Sequence, residues 1–266
     1  MFKRVVSALV LLALSAFCFI FSKETAVVYV TAVACICFYE MSNCLKKLNN
    51  KPLMIIPCIF MVVCAAVMYF ENLSVLWLAA AVLILFIATF VFCMKSKEHK
   101  ATDALATIEM LLYPGLAIAA ILFVCCLPRK EYAVIFTTGF LSAVSCDTFA
   151  LFGGMAFGKH KLAPTVSPKK TIEGSVTGTL VTTGIGIGAW FLFKEYMLVS
   201  LIKYIVIVLI CTIVSQIGDL SASFIKREAG IKDYGNLIPG HGGMMDRIDS
   251  LMMSIPAAYV LTQLLR

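Results

Sequence analysis

Of 266 residues, 61% are apolar and 14% charged, against roughly 45–50% and about 25% in soluble domains, which excludes an ordinary water-soluble fold. The 22 Lys and Arg outnumber 15 acids for a net charge of +7, but the basic residues sit mostly in short connectors, so they report membrane topology and no nucleic-acid partner is expected. Apolar runs of about 17–25 residues, the length that crosses the hydrocarbon core, recur from end to end. The chain is therefore expected to be all-α, a polytopic integral membrane protein of about nine transmembrane helices in the lipid bilayer.

In chain order the predicted spans are 5–21, 25–45, 53–70, 74–94, 104–127, 133–152, 174–193, 200–220 and 248–264. The first, Val5 to Phe21 behind Lys3 and Arg4, has the flank of a signal peptide but lacks a convincing A-x-A cleavage site, so it reads as helix one. Sixteen of the 22 basic residues fall in the N-terminus and alternate connectors. That bias predicts a cytoplasmic N-terminus and cytoplasmic connectors at 153–173 and 221–247. Cys35, Cys37, Cys64, Cys93, Cys125, Cys126 and Cys211 lie in apolar runs as small hydrophobes, so neither disulfides nor a zinc or iron–sulfur site is expected.

Four acids interrupt the apolar runs near the cytoplasmic side: Glu40, Glu109, Asp147 and Asp219. A carboxylate in or near hydrocarbon is costly and points to function by default. For Glu40 and Glu109, a plain reach to the headgroup region stays equally open.

The connector 221–247 carries the densest chemistry. Asp219, Ser223 and Lys226 recur at i, i+4 and i+7, which puts a carboxylate, a hydroxyl and an ammonium on one helix face. Asp246 and Asp249, three apart at the predicted start of helix nine, make a second acidic face that meets the first if helices eight and nine are neighbours. Carboxylates beside Lys and Arg suit a Mg²⁺–phosphate site. Gly240, Gly242 and Gly243 around His241 would let backbone amides approach phosphate oxygens. A solvated charged turn is the alternative.

Upstream, Ser167-Pro168-Lys169-Lys170-Thr171-Ile-Glu173-Gly174 reads as a helix start, with Ser167 as N-cap, Pro168 at the first position and two lysines in the first turn. Lysines there oppose the helix dipole unless an anion is bound, which suggests a phosphate; a contribution to the topological bias is the alternative. Gly153 to His160 nearly spells a P-loop, but His160 stands where Ser or Thr is needed and no strand precedes it, so it reads as a tight connector. Gly174, Gly178, Gly184, Gly186 and Gly188 read as helix-packing positions.

From Ser223-Phe-Ile-Lys226-Arg227 through Lys232-Asp233 to Pro239-Gly-His241-Gly-Gly-Met-Met-Asp246-Arg247-Ile-Asp249, the sequence resembles the phosphatidate cytidylyltransferase (CDP-diglyceride synthase) family. Asp147-Thr-Phe-Ala and the stretch from Phe157 to Gly174 resemble it as well, so the likeness covers roughly the last 120 residues. It implies two regions, variable N-terminal helices over 1–130 and a catalytic transmembrane region over 131–266.

The resemblance implies attack of phosphatidate on the α-phosphorus of CTP, giving CDP-diacylglycerol and pyrophosphate for phospholipid biosynthesis. By resemblance Asp219, Asp246 and Asp249 look like the metal cluster, for Mg²⁺ or Mn²⁺, with a second monovalent cation left open. Lys226, Arg227 and Lys232 would hold phosphates, and His241 would hydrogen-bond a phosphate or the leaving pyrophosphate. Lys169 and Lys170 would serve CTP or the lipid phosphate, with Asp147 and Glu173 in the same cavity. Ser167, Thr171, Ser223, Asp233, Gly242, Gly243 and Arg247 would complete the substrate site.

Two rivals are weighed. An ion-coupled transporter predicts midplane acids and repeated halves, and no halves with matching motifs are seen. A CDP-alcohol phosphotransferase would need D-G-x2-A-R followed by G-x3-D-x3-D, which is absent. The compact length suggests a bacterial plasma membrane with the active site facing the cytoplasm; a homodimer is left open.

Overall fold

A computed structural model describes residues 13, 15, 17–70, 75–238 and 242–266. The chain forms two compact units, residues 1–126 with 228–247, and residues 127–227 with 248–266. Expected helix one falls largely outside the described residues.

In the first unit, α1 (Lys23–Lys47) opens on a reciprocal cap. Thr25 N–H donates to Ser22 Oγ and Ser22 N–H donates to Thr25 Oγ1, both at 3.2 Å, satisfying amides a helix start leaves without partners. It ends with Lys46 and Lys47, which complement the negative end of the dipole. Next come α2 (Ile55–Tyr69), α3 (Val75–Lys95) and α4 (Ala101–Met110). A π turn, Leu111–Leu116, leads from α4 into α5 (Ala117–Cys125). The helix kinks there because Pro114 cannot donate an amide and Tyr113 leaves the helical region at φ −135°, ψ 110°.

The link before α2 is fastened to α4. Lys51 N–H donates to Asp103 at 2.6 Å and Leu53 N–H to Thr107 Oγ1 at 2.8 Å. Phe38, Met41, Phe60, Met61, Met110 and Leu122 are fully buried in this unit. Segment 228–247 joins it through the buried residues Tyr234, Ile238, Met244 and Met245, and leads into the short α9 (Met245–Ile248).

The second unit contains α6 (Arg129–Phe157), a hairpin of β1 (Lys161–Ala163) and β2 (Ser167–Thr171), α7 (Ile172–Leu192), α8 (Leu201–Glu228) and α10 (Leu251–Leu265). Glycines set how closely its helices pack. A Cβ on Gly178 would lie 2.7 Å from the Cys146 carbonyl, and one on Gly174 would lie 2.5 Å from that of Ala150, so α6 and α7 meet backbone to backbone. Gly139 does the same for α10, where a Cβ would come within 2.6 Å of Ile255 Cα. Gly184 and Gly188, expected to pack as well, have nothing within 4 Å, while Gly186 faces Val208.

Six described helices are long and apolar enough to cross a membrane: Lys23–Lys47, Ala101–Cys125, Arg129–Phe157, Ile172–Leu192, Leu201–Glu228 and Met245–Leu265. Ile55–Tyr69 and Ala79–Lys95 are shorter and apolar. Exposed Val176, Leu180, Leu192, Ile202 and Leu264 on these helices suit a lipid solvent. The protein is a polytopic, largely helical membrane protein.

Three local expectations are corrected. Ser167-Pro-Lys-Lys-Thr171 is a strand, not a first helical turn: Ser167 precedes a proline and is biased to extended backbone, and Thr171 pairs with Lys161. The helix starts at Ile172, four residues after the expected first position, with the Thr171 hydroxyl accepting the Gly174 amide at 3.1 Å. The predicted connector beginning at 153 is helical through Phe157, because Gly153 and Gly154 pack against Thr177 and Thr171. Finally, the span predicted at 248–264 begins earlier, at Met245, and carries a turn at Asp249 and Ser250 between α9 and α10.

Candidate active site

In the second unit, the hairpin delivers one lysine to α8. Side chains alternate across a strand, so adjacent Lys169 and Lys170 part company. Lys169 is exposed, and Lys170 forms an ion pair with Asp219, the two side chains 28% and 23% exposed. Such a pair is half-sheltered from water yet open to a ligand.

The expected face of α8 is present. Ser223 Oγ donates to Asp219 Oδ1 at 3.5 Å, and Lys226 follows along the same helix, only 7% exposed. Gly218 draws the chain after α9 against α8, since a Cβ there would lie 2.7 Å from the Asp249 carbonyl. Asp249 is 7% exposed, accepts the Ser250 amide at 2.8 Å, and lies within electrostatic range of Asp219, Lys226 and Asp147. Exposed Asp147 on α6 also feels Lys170 and faces the Ser250 hydroxyl. Three acids and two lysines thus gather with one more acid than base, an arrangement that a bound cation would balance.

Other predicted members of this region support the scaffold. Glu173 accepts the amides of Lys159 at 3.0 Å and His160 at 3.1 Å and meets His160 Nδ1 at 2.5 Å, closing the base of the hairpin. Arg227 Nε donates to the Val166 carbonyl at 3.2 Å, holding the hairpin turn to the end of α8. Ser167 lies in β2, paired with Ala163, and Thr171 is buried as the α7 cap.

In the first unit, two carboxylates take the amides of residues 234 and 243–245. Asp246 Oδ2 accepts the amides of Tyr234 at 2.9 Å and Gly243 at 3.0 Å. Glu40 of α1, 3% exposed, accepts Met244 N–H on Oε1 at 2.9 Å and Met245 N–H on Oε2 at 2.8 Å. Gly242, at φ +87°, sits in the left-handed region that a side chain would strain. The close approach that Gly243 allows is to a protein carboxylate: a Cβ there would stand 2.6 Å from Glu40 Oε2. Lys232, Asp233 and Arg247 are exposed on this segment, while Gly240 and His241 lie outside the described residues.

The structure therefore gathers Asp147, Lys170, Asp219, Ser223, Lys226 and Asp249 in one unit, and gives Asp246, Gly242 and Gly243 to a loop in the other. Sequence reading left Glu40 undecided. An acid about two turns before the end of an apolar helix has no partner that spacing can name, because its partners lie 204 and 205 residues away.

Acids on apolar helices, with a hairpin that feeds a lysine between them, make a charged site in a membrane protein. The chain belongs to the cytidylyltransferase family, whose match runs over residues 2–265 and so includes the helices expected to be variable. It is similar to the phosphatidate cytidylyltransferase of Haemophilus influenzae, 43% identical over 120 residues that cover 44% of this chain and 41% of that protein. That of Rickettsia felis is 39% identical over 122 residues, 44% of this chain and 54% of the relative. That of Mycobacterium leprae is 35% identical over 199 residues, 67% of this chain and 62% of the relative. The chain spans about half the length of the curated relatives it matches.

Proposed function

We propose that the chain transfers the cytidylyl group of CTP to phosphatidate, releasing pyrophosphate and forming CDP-diacylglycerol. The observation that carries this reading is Lys170, held by the hairpin onto Asp219 of α8. Family membership and the shared name of the relatives support it.

A lipid phosphate monoester is already anionic near neutral pH, so its oxygen can attack the α-phosphorus of CTP without a strong base. The new bond is phosphate oxygen to α-phosphorus, and the bond that breaks joins the α-phosphorus to the bridging oxygen, which leaves with pyrophosphate. Alignment and charge neutralisation then carry the rate. Lys170 and Lys226 would offset substrate charge, and Ser223 would orient Asp219. This division of labour fits a site built from acids and lysines rather than from an activated nucleophile.

The donor set fits a hard cation such as Mg²⁺, since it consists of carboxylate and hydroxyl oxygens. Among the described residues no three His, Cys, Asp or Glu side chains converge as ligands. Mg²⁺ commonly takes one or two carboxylates and completes its shell with substrate phosphates and water. Asp219 and Asp249 would hold it, and when bound it would supply charge neutralisation at the transferring phosphorus. The basic residues of alternate connectors favour a cytoplasmic site, and the bacterial relatives favour a plasma membrane.

The test is pyrophosphate release by purified protein in detergent, with phosphatidate and each of the four nucleoside triphosphates, with Mg²⁺ or with chelator. Release that needs CTP, phosphatidate and metal is expected. Folded protein that releases none under any nucleotide would overturn the reading.

A further inference from the structure

We infer that Glu40 is a positioning residue of the loop that carries Asp246, acting from the far end of the sequence through the backbone of residues 243–245. The inference rests on the proposed function, to which it adds that the reaction needs Asp246 held in place.

Glu40 sits near the C-terminal end of α1, an apolar helix, and is almost wholly buried at 3% exposure. A carboxylate there is costly unless it is hydrogen-bonded, so its retention calls for partners. It has two, and each takes a separate oxygen: Met244 N–H at 2.9 Å and Met245 N–H at 2.8 Å. The next amide back, that of Gly243, goes to Asp246 at 3.0 Å. Three consecutive amides thus end on two carboxylates, one from α1 and one from the segment itself.

The surroundings are shaped to this contact. A Cβ on Gly235 or on Gly243 would lie 2.6 Å from a Glu40 oxygen, so both glycines leave room for the carboxylate. Phe38 and Met41, flanking Glu40 in α1, are fully buried and fix the helix from which it projects. A merely apolar plug at position 40 would leave the Met244 and Met245 amides buried and without acceptors. The function assigned to Glu40 is therefore to set the direction in which the chain enters α9, and with it the place of Asp246.

Size and charge separate this role from plain packing. Gln is isosteric with Glu but has one acceptor oxygen and turns an NH₂ donor toward an amide donor. Asp keeps both acceptors on a stem shorter by one methylene. Glu40→Gln is expected to lower turnover at saturating CTP by about tenfold or more, the scale of losing a charge-assisted hydrogen bond, with the Michaelis constant for CTP changed by less than about threefold. Glu40→Asp should recover several-fold of that loss. In parallel, hydrogen exchange of purified full-length protein should speed up by about tenfold in the peptide containing Met244 and Met245 and stay unchanged across α7.

A Gln variant with wild-type turnover and wild-type exchange at Met244 and Met245 would overturn the inference. So would a uniform rise in exchange across all helices, which would reduce Glu40 to a general stabiliser. If the wild-type protein released no pyrophosphate from CTP, the proposed function would fail, while the exchange arm would still decide the clamp.

Discussion

The cluster around Lys170 and Asp219 and the loop around Glu40 and Asp246 use the same residue types for opposite ends. In the first, Asp219 faces an ammonium group and a hydroxyl, and its pair with Lys170 keeps about a quarter of each side chain exposed. In the second, both carboxylates are engaged by backbone amides. Acids that meet mobile side chains can exchange those partners for substrate or metal. Acids that meet main-chain amides hold a fixed shape, because the amides have no other acceptor when buried. What surrounds a carboxylate thus separates an acid free to change partners from one held in place.

Substitutions can break this contrast. The largest effect is expected for Asp219→Asn, which removes the partner of Lys170 and a candidate metal ligand while keeping side-chain size. Pyrophosphate release should fall by about 100-fold or more, as when one preorganised electrostatic group is lost. Near-normal turnover in folded protein would remove Asp219 from the chemistry. Lys170→Ala comes next, with kcat/KM lower by about 10–100-fold, the worth of one charge-assisted bond to a phosphate. Its strand neighbour supplies the control: Lys169→Ala should stay within about twofold, since an exposed lysine makes only screened contacts.

Packing offers a second pair. Gly178→Ala places a methyl group 2.7 Å from the Cys146 carbonyl, so α6 and α7 must separate, at a cost of about 1–3 kcal/mol that a lower melting temperature in detergent would report. Gly184→Ala meets nothing within 4 Å and should gain about 0.5–1 kcal/mol from reduced chain freedom. Equal effects at the two positions would show that helix separation is not what Gly178 controls.

Much of the architecture was legible because a bilayer admits few solutions. A backbone in hydrocarbon must satisfy its own hydrogen bonds, so long apolar runs announce helices: the span predicted at 25–45 lies within α1, and that at 200–220 matches α8 from its first residue, Leu201. The i, i+4, i+7 spacing of Asp219, Ser223 and Lys226 became a shared face for the same reason, since helical period is a local property. The hairpin was not legible. Its strands are three and five residues long, and the stretch Ser167-Pro-Lys-Lys reads equally well as a helix start until Lys161 is seen to pair with Thr171. That error also hid the opposite placing of Lys169 and Lys170, because a one-residue step reverses direction on a strand and only turns about 100° on a helix.

By itself the sequence determined a polytopic helical membrane protein of this family and named the acids and lysines of its charged face, because apolar length, helical period and a long signature are all carried by neighbouring residues. Only the tertiary structure decided which lysine meets Asp219, and that Glu40 grips amides 204 and 205 positions away. Hydrogen bonds between distant segments depend on where packing brings two backbones together, and no pattern within either segment encodes that meeting.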